Sequence, residues 1–226
     1  MTILMIKTAI LDLFFPPKCA ICRRIGVHGV CAACAAALPR TEKPLREGAG
    51  YGKCAVPLRY EGAVREAILR FKFRGALGAA EGFGALLAQC AAEELGGEFD
   101  LVTWAPVSRR RLRQRGYDQA ELLAQEAAAA WGTKPVRLLR KTRDNPPQSG
   151  LGAAERRGNV IGVYEAIAVE TLQNARILLI DDIITTGSTL SECVRVLQTA
   201  GARSVVCACL AAASVESQKE ATQKRR

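Results

Sequence analysis

The thirteen residues Ile177–Thr189, Ile-Leu-Leu-Ile-Asp-Asp-Ile-Ile-Thr-Thr-Gly-Ser-Thr, constrain this chain more than any other stretch. The continuous apolar run Ile177–Ile180 is what a strand buried on both faces requires, and strands of that kind belong to parallel sheets flanked by helices. The run delivers two acids, Asp181 and Asp182, at its carboxyl end. A short loop of hydroxyl residues and one glycine follows, and a helix is predicted over Ser188–Ala200, ended by Gly201. Open α/β sheets bind their ligands at this edge of the strands. Successive N–H groups in such a loop form an anion-binding nest, and the helix N-terminus adds partial positive charge. Thr185, Thr186, Ser188 and Thr189 supply hydroxyl donors, and Gly187 lets the backbone approach a ligand closely. Ionised carboxylates only accept hydrogen bonds, so Asp181 and Asp182 suit the vicinal hydroxyls of a sugar while the loop holds its phosphate. Ribose 5-phosphate meets both demands. The same acids would lie near a divalent cation, Mg²⁺, on a diphosphate. No Gly-Lys-Ser/Thr closes the loop and no Gly-x-Gly-x-x-Gly opens it, which excludes the two commonest nucleotide fingerprints.

The remainder of the chain supplies the layers such a strand needs. Helical spacing over Glu61–Arg74 puts Val64, Ile68 and Phe71 on one face, and a second helix is predicted over Ala79–Leu95 with Phe83, Leu86, Leu87 and Cys90 inward. A short strand over Leu101–Ala105 ends at Pro106, and Asp118 caps a helix running to about Trp131. Ser204–Leu210 reads as another buried strand. Strand and helix in alternation imply a mostly parallel α/β sheet with right-handed crossovers. Three regions differ in composition: 1–50, 51–214, and a polar tail, 215–226. Ile3–Phe15 is apolar but carries Lys7 and Asp12, so it is too short and too charged to span a membrane. It lacks the pattern of a cleaved leader. It reads as an amphipathic helix, stopped by Pro16-Pro17, that docks on the core, and no stable membrane insertion is expected.

Cys19-x-x-Cys22 and Cys31-x-x-Cys34 form two knuckles at a spacing that lets four thiolates surround Zn²⁺ tetrahedrally. Such a site has no open position and is structural. Two local disulfides are the alternative, disfavoured in the reducing cytoplasm that an odd total of nine cysteines suggests. His28 lies between the pairs, but four thiols already suffice, so it reads as a loop residue. Cys54, Cys90, Cys193, Cys207 and Cys209 have apolar surroundings and read as core.

The net charge of +10 points to polyanionic partners, either phosphorylated metabolites or nucleic acid, against the plainer reading of an ordinary basic protein. Ser108–Gly116 carries five arginines in nine residues directly after a strand end. Arginine forks match phosphate oxygens in two-point contacts, and Arg109, nearest the strand, is best placed for a pyrophosphate. The others suit nucleic-acid phosphates, or a solvated basic face with no ligand. Lys141–Asn159 is a long polar segment with two prolines and three glycines, a length that marks a functional loop or an inert linker.

Several motifs together resemble the ComF competence family, whose members look like type I phosphoribosyltransferases. The strand, acid pair and Thr-Thr-Gly-Ser-Thr loop resemble the phosphoribosyl-diphosphate (PRPP) motif. Tyr60–Phe73 is similar to the family's early helix, and Arg115–Ala124 to its Arg-Gly-Phe-Asn-Gln-Ala segment. Gln148-Ser149 and Glu155–Asn159 follow in the family's order. Trp104-Ala105-Pro106-Val107 departs from the Pro-Val-Pro run of many members. The resemblance implies a type I phosphoribosyltransferase-like fold with an N-terminal zinc module. It implies PRPP binding with Mg²⁺ and a link to DNA uptake in natural competence. It also implies a loop over the active site, where Lys141, Arg143 and Arg156 would meet the diphosphate. Two function classes stay open: a phosphoribosyltransferase using Asp181 and Asp182, or a non-catalytic protein that senses a nucleotide or handles single-stranded DNA with competence proteins.

Overall fold

The computed structural model describes residues 16–97, 99–143 and 162–213. The predicted helix over Ile3–Phe15, Arg156, the Gln148-Ser149 and Glu155–Asn159 motifs and the 215–226 tail lie outside these residues.

A six-stranded sheet organises the fold. Its strands are β1 (Leu45–Gly48), β2 (Gly52–Ala55), β3 (Leu58–Arg59), β4 (Leu101–Trp104), β7 (Arg176–Ile184) and β8 (Ser204–Ala212). Their order is β1-β2-β8-β7-β4, with β3 also paired to β8. Every pairing is parallel except β1 with β2. β2 and β3 run along the same edge of β8, with Cys54 opposite Cys207 and Leu58 opposite Ala211. Between them lies Val56-Pro57, where proline offers no N–H to the ladder. A separate antiparallel pair joins β5 (Leu139–Lys141) to β6 (Tyr164–Ala166).

Helices cover both faces, and the period of two along β7 explains the two cores. Leu178 and Ile180 pack with the helices α2 (Gly62–Phe73), α3 (Ala79–Leu95) and α5 (Gln119–Ala130). Ile177 and Leu179 join the opposite cluster, built on Leu190, Cys193 and Leu197 of α7 (Ser188–Thr199). The inward residues of α2 are Val64, Ala67, Ile68 and Phe71, the stripe its spacing predicts. α3 and α5 approach closely because Gly84 lacks a side chain: a Cβ there would collide with Cβ of Glu126. Three short helices complete the described residues: α1 (Ala32–Ala36), α4 (Arg109–Arg115) and α6 (Val169–Leu172). None of the described helices is long and apolar enough to cross a membrane.

One boundary differs from expectation in a way that matters for the site. β7 does not stop at Ile180 but continues through both acids to Ile184. Asp181, Ile183 and Ile184 pair with Cys209, Ala211 and Ala212 of β8, so the neighbouring strand overrides the local break in apolarity. The acids are therefore strand residues directed to opposite faces, near the carboxyl end of the strand as expected.

Candidate functional site

Asp181 shares the α7 face of β7 with Ile177 and Leu179, and its carboxylate accepts the backbone N–H of Asp182 at 2.8 Å. Burial first, and the charge of Asp182 second, push its carboxyl up to about 8. Asp182 lies on the other face, where its Oδ1 meets Nζ of Lys72 at 2.8 Å. The two side chains are only 13% and 18% exposed, so this pair is shielded from solvent. Lys72 stands at the end of α2 among alternating basic and apolar residues, and nothing in its local spacing marks it out.

The segment Arg115–Gln119 holds that helix end in place. The Tyr117 hydroxyl donates to the Phe71 carbonyl, and Nε2 of Gln119 donates to the Lys72 carbonyl at 3.4 Å. These are terminal carbonyls that a helix leaves without intrahelical partners. Asp118 is buried and caps α5, accepting from Ala120 N at 3.1 Å and from Val107 N at 2.8 Å. Burial raises its carboxyl to about 6 against the pull of these donors. One short segment thus starts α5, ties down the turn after β4 and fixes the lysine that faces Asp182.

The loop after β7 has the form a phosphate cradle needs. Gly187 adopts φ +75° and opens α7. Thr186 Oγ1 and Ser188 Oγ lie 2.7 Å apart, and Ser188 N donates to Thr186 Oγ1 at 3.4 Å. Thr185 is exposed, while Thr186, Ser188 and Thr189 are half-buried. Beneath the loop lies the ring of Tyr51: a Cβ at Gly187 would come within 2.5 Å of its Cε1. Tyr51 comes from the β1–β2 turn, far away in sequence, and no local signal identifies it as the floor.

The expected cations form a second grouping. Arg109, Lys141 and Arg143 line one cleft of about 380 Å³, together with Arg110, Arg113 and Arg140. The arginine run is a helix, α4, whose N-cap Ser108 accepts Arg111 N at 3.3 Å, so successive arginines point to different sides. Lys141 holds its Nζ 5.0 Å from the Tyr164 ring centroid, and Arg140 pairs with Glu165 at 2.6 Å.

The four predicted zinc ligands converge. The Sγ atoms of Cys19, Cys22, Cys31 and Cys34 all lie within 4.8 Å of one another, with Cys22 and Cys31 at 3.8 Å. Four thiolates about 2.3 Å from a tetrahedral Zn²⁺ stand roughly 3.8 Å apart, so the geometry fits the ion. The donor chemistry fits as well. Burial opposes ionisation of Cys19, yet N–H groups of Cys31, Cys22 and Ile21 overcome it and bring the thiol down to about 6. Cys34 is pushed up to about 12 by burial and then by the neighbouring thiols. Such crowding is relieved when a divalent cation takes all four as thiolates. His28 stands outside the cluster, with Nδ1 3.3 Å from Glu81. Cys54, Cys90, Cys193, Cys207 and Cys209 are buried free thiols, as expected.

Residues 113–225 match the phosphoribosyl transferase domain family, and residues 10–66 match the double zinc ribbon domain family. Fold and site together define a phosphoribosyl transferase domain carrying an N-terminal zinc ribbon. The chain is 30% identical over 160 residues to Competence protein ComFC of Streptococcus pneumoniae, covering 71% of this chain and 68% of that protein. It is 33% identical over 103 residues to Competence protein F of Haemophilus influenzae, 44% of each. It is 30% identical over 115 residues to the DNA utilization protein YhgH of Salmonella typhi, 49% of this chain and 48% of that one. The chain thus spans less than half the length of the Haemophilus and Salmonella relatives. It belongs to the ComF family of phosphoribosyl transferase domain proteins.

Proposed function

We propose that this protein binds PRPP and transfers its ribose 5-phosphate to a nitrogen nucleophile in the cytoplasm, in the service of DNA uptake or utilisation. The observation that carries this reading is the junction of β7 and α7, where two carboxylates precede a glycine-hinged hydroxyl loop at a helix N-terminus. Thr185–Thr189 hold the 5-phosphate through hydroxyl and N–H donors. Asp181 and Asp182 accept from the ribose hydroxyls, and Lys72 keeps Asp182 from repelling the phosphates. Arg109, Lys141 and Arg143 meet the diphosphate, with Arg156 as a further candidate. Asp181 and Asp182 would lie near a Mg²⁺ ion bound with the diphosphate, which would supply neutralising charge. In the reaction the C1–O bond to diphosphate breaks, a C1–N bond forms and the nitrogen's proton passes to the departing diphosphate. The side chains position the reactants and stabilise the developing charge.

A second reading keeps the site for sensing a nucleotide without transfer, and lets the cationic cleft hold single-stranded DNA. The crowding of five arginines and a lysine in one cleft favours it, because a lone pyrophosphate needs fewer. Pyrophosphate release from PRPP across a panel of nitrogen acceptors separates the two. The transferase reading expects release with at least one acceptor. It also expects kcat/KM to fall about 10- to 100-fold in Arg109→Ala, the loss of one or two charge-assisted hydrogen bonds. Absence of release with every acceptor, from protein that binds PRPP, leaves the sensing reading.

A further inference from the structure

Phe73, the last residue of α2, is 60% exposed and is the only exposed aromatic residue among those described. The guanidinium of Arg115 lies over its ring, 4.6 Å from the centroid. The pair borders a cleft of about 580 Å³ whose walls also include Lys72, Arg111, Gln114 and Tyr117, with no acidic side chain among them. Lys72 is the same residue that meets Asp182 at 2.8 Å, so the cleft adjoins the candidate ribose acids. This cleft is separate from the one lined by Arg109, Lys141 and Arg143.

The chemistry of the walls narrows the ligand. A simple anion has no use for an exposed aromatic ring, and an apolar partner has none for three cations. A planar base attached to phosphate uses both, because every base has a π-face that stacks on aromatic rings and on guanidinium planes. The Gln114 amide offers a donor and an acceptor to a base edge. Arg111 offers a fork to a phosphate oxygen.

We propose that the Phe73–Arg115 cleft is a stacking site for an unpaired nucleobase, with Arg111 receiving the attached phosphate. The base comes either from a free nucleotide or from a single strand of DNA. The proposal rests on the ribosyl reading only for what the neighbouring site does, and its own chemistry stands apart.

The test uses the full zinc-loaded chain with Phe73→Trp as a fluorescent reporter. Trp104 is buried and Trp131 half-buried, so both give a steady background. Oligothymidylate, an abasic oligomer of equal length and the four nucleoside monophosphates are titrated in turn. Quenching by ligands that carry bases, and none by the abasic oligomer, is the expected result. Monophosphates acting alone identify a free nucleotide, and the oligomer acting alone identifies a strand. In Phe73→Ala and Arg115→Lys the affinity for the active ligand is expected to fall about tenfold, the loss of one stacked base. The abasic oligomer is expected to bind all variants alike. No base-dependent quenching, or binding unchanged in Phe73→Ala, overturns the proposal. PRPP titrated into the same variants separates the two readings: retained PRPP binding beside failed stacking sinks the base site alone, and the converse sinks the ribosyl reading alone.

Discussion

Removing zinc from this chain is expected to unfold residues 16–38 as a unit. The module has little else to hold it. Its helix, α1, spans five residues with none buried, and its buried apolar side chains are Cys19, Ala20, Ile21 and Cys31. Two of those four are ligands. Structural zinc contributes on the order of 10–16 kcal/mol to folding in zinc-finger peptides, as much as the whole stability of many domains. The module's polar ties to the sheet domain, Arg70 Nη2 to the Ile21 carbonyl at 2.5 Å and His28 Nδ1 with Glu81 at 3.3 Å, are too small to compensate. One zinc per chain is expected by elemental analysis, and none in Cys31→Ser. Limited proteolysis after chelation is expected to cut within residues 16–38 and to spare the sheet. A chelated sample that resists protease as well as the loaded one would show that zinc does not hold the module.

Gly187→Ala is expected to damage the phosphate loop more than any other single methyl group. The residue holds φ +75°, which costs an L-residue roughly 1–2 kcal/mol. Its new Cβ would also meet Tyr51 Cε1 at 2.5 Å, forcing the ring or the loop to move. Small-to-large strain of this kind adds about 1–3 kcal/mol. Together they predict a fall in melting temperature of about 4–20 °C in calorimetry, given 2–4 °C per kcal/mol for a chain of this size. Tyr51→Ala in the same chain is expected to relieve the clash and leave the dihedral cost, so the two changes are non-additive. A Gly187→Ala protein that melts with the wild type would mean that the loop does not depend on this glycine.

The legible parts of this molecule were those governed by local chemistry. α3 reads as Ala79–Leu95 because its apolar residues recur at helical spacing and Gly96 ends it with φ +60°. Asp118 reads as a cap because only its side chain, at that place, can take the first free N–H groups. The four zinc thiols are fixed by their spacing. What escaped notice depends on distant residues. The run of β7 past Asp181 and Asp182 to Ile184 is set by pairing with β8. Lys72 and Tyr51 gain their meaning from partners 110 and 136 positions away, at Asp182 and Gly187. The arginine run reads as charge alone, because five cations hide the helix that Ser108 begins. Only that helix separates Arg109 and Arg113, in one cleft, from Arg111 and Arg115, in another.

The central claim, a working ribose-phosphate site on β7 and its loop, is tested most directly by calorimetric titration of PRPP with Mg²⁺. The zinc-loaded wild type is expected to bind, and the Asp181→Asn/Asp182→Asn chain to lose affinity at least tenfold, since the Asp182 carboxylate, ion-paired with Lys72, accepts charge-assisted hydrogen bonds of about 1.5–3 kcal/mol. No heat of binding from folded wild type, or equal affinity in the double variant, would contradict it.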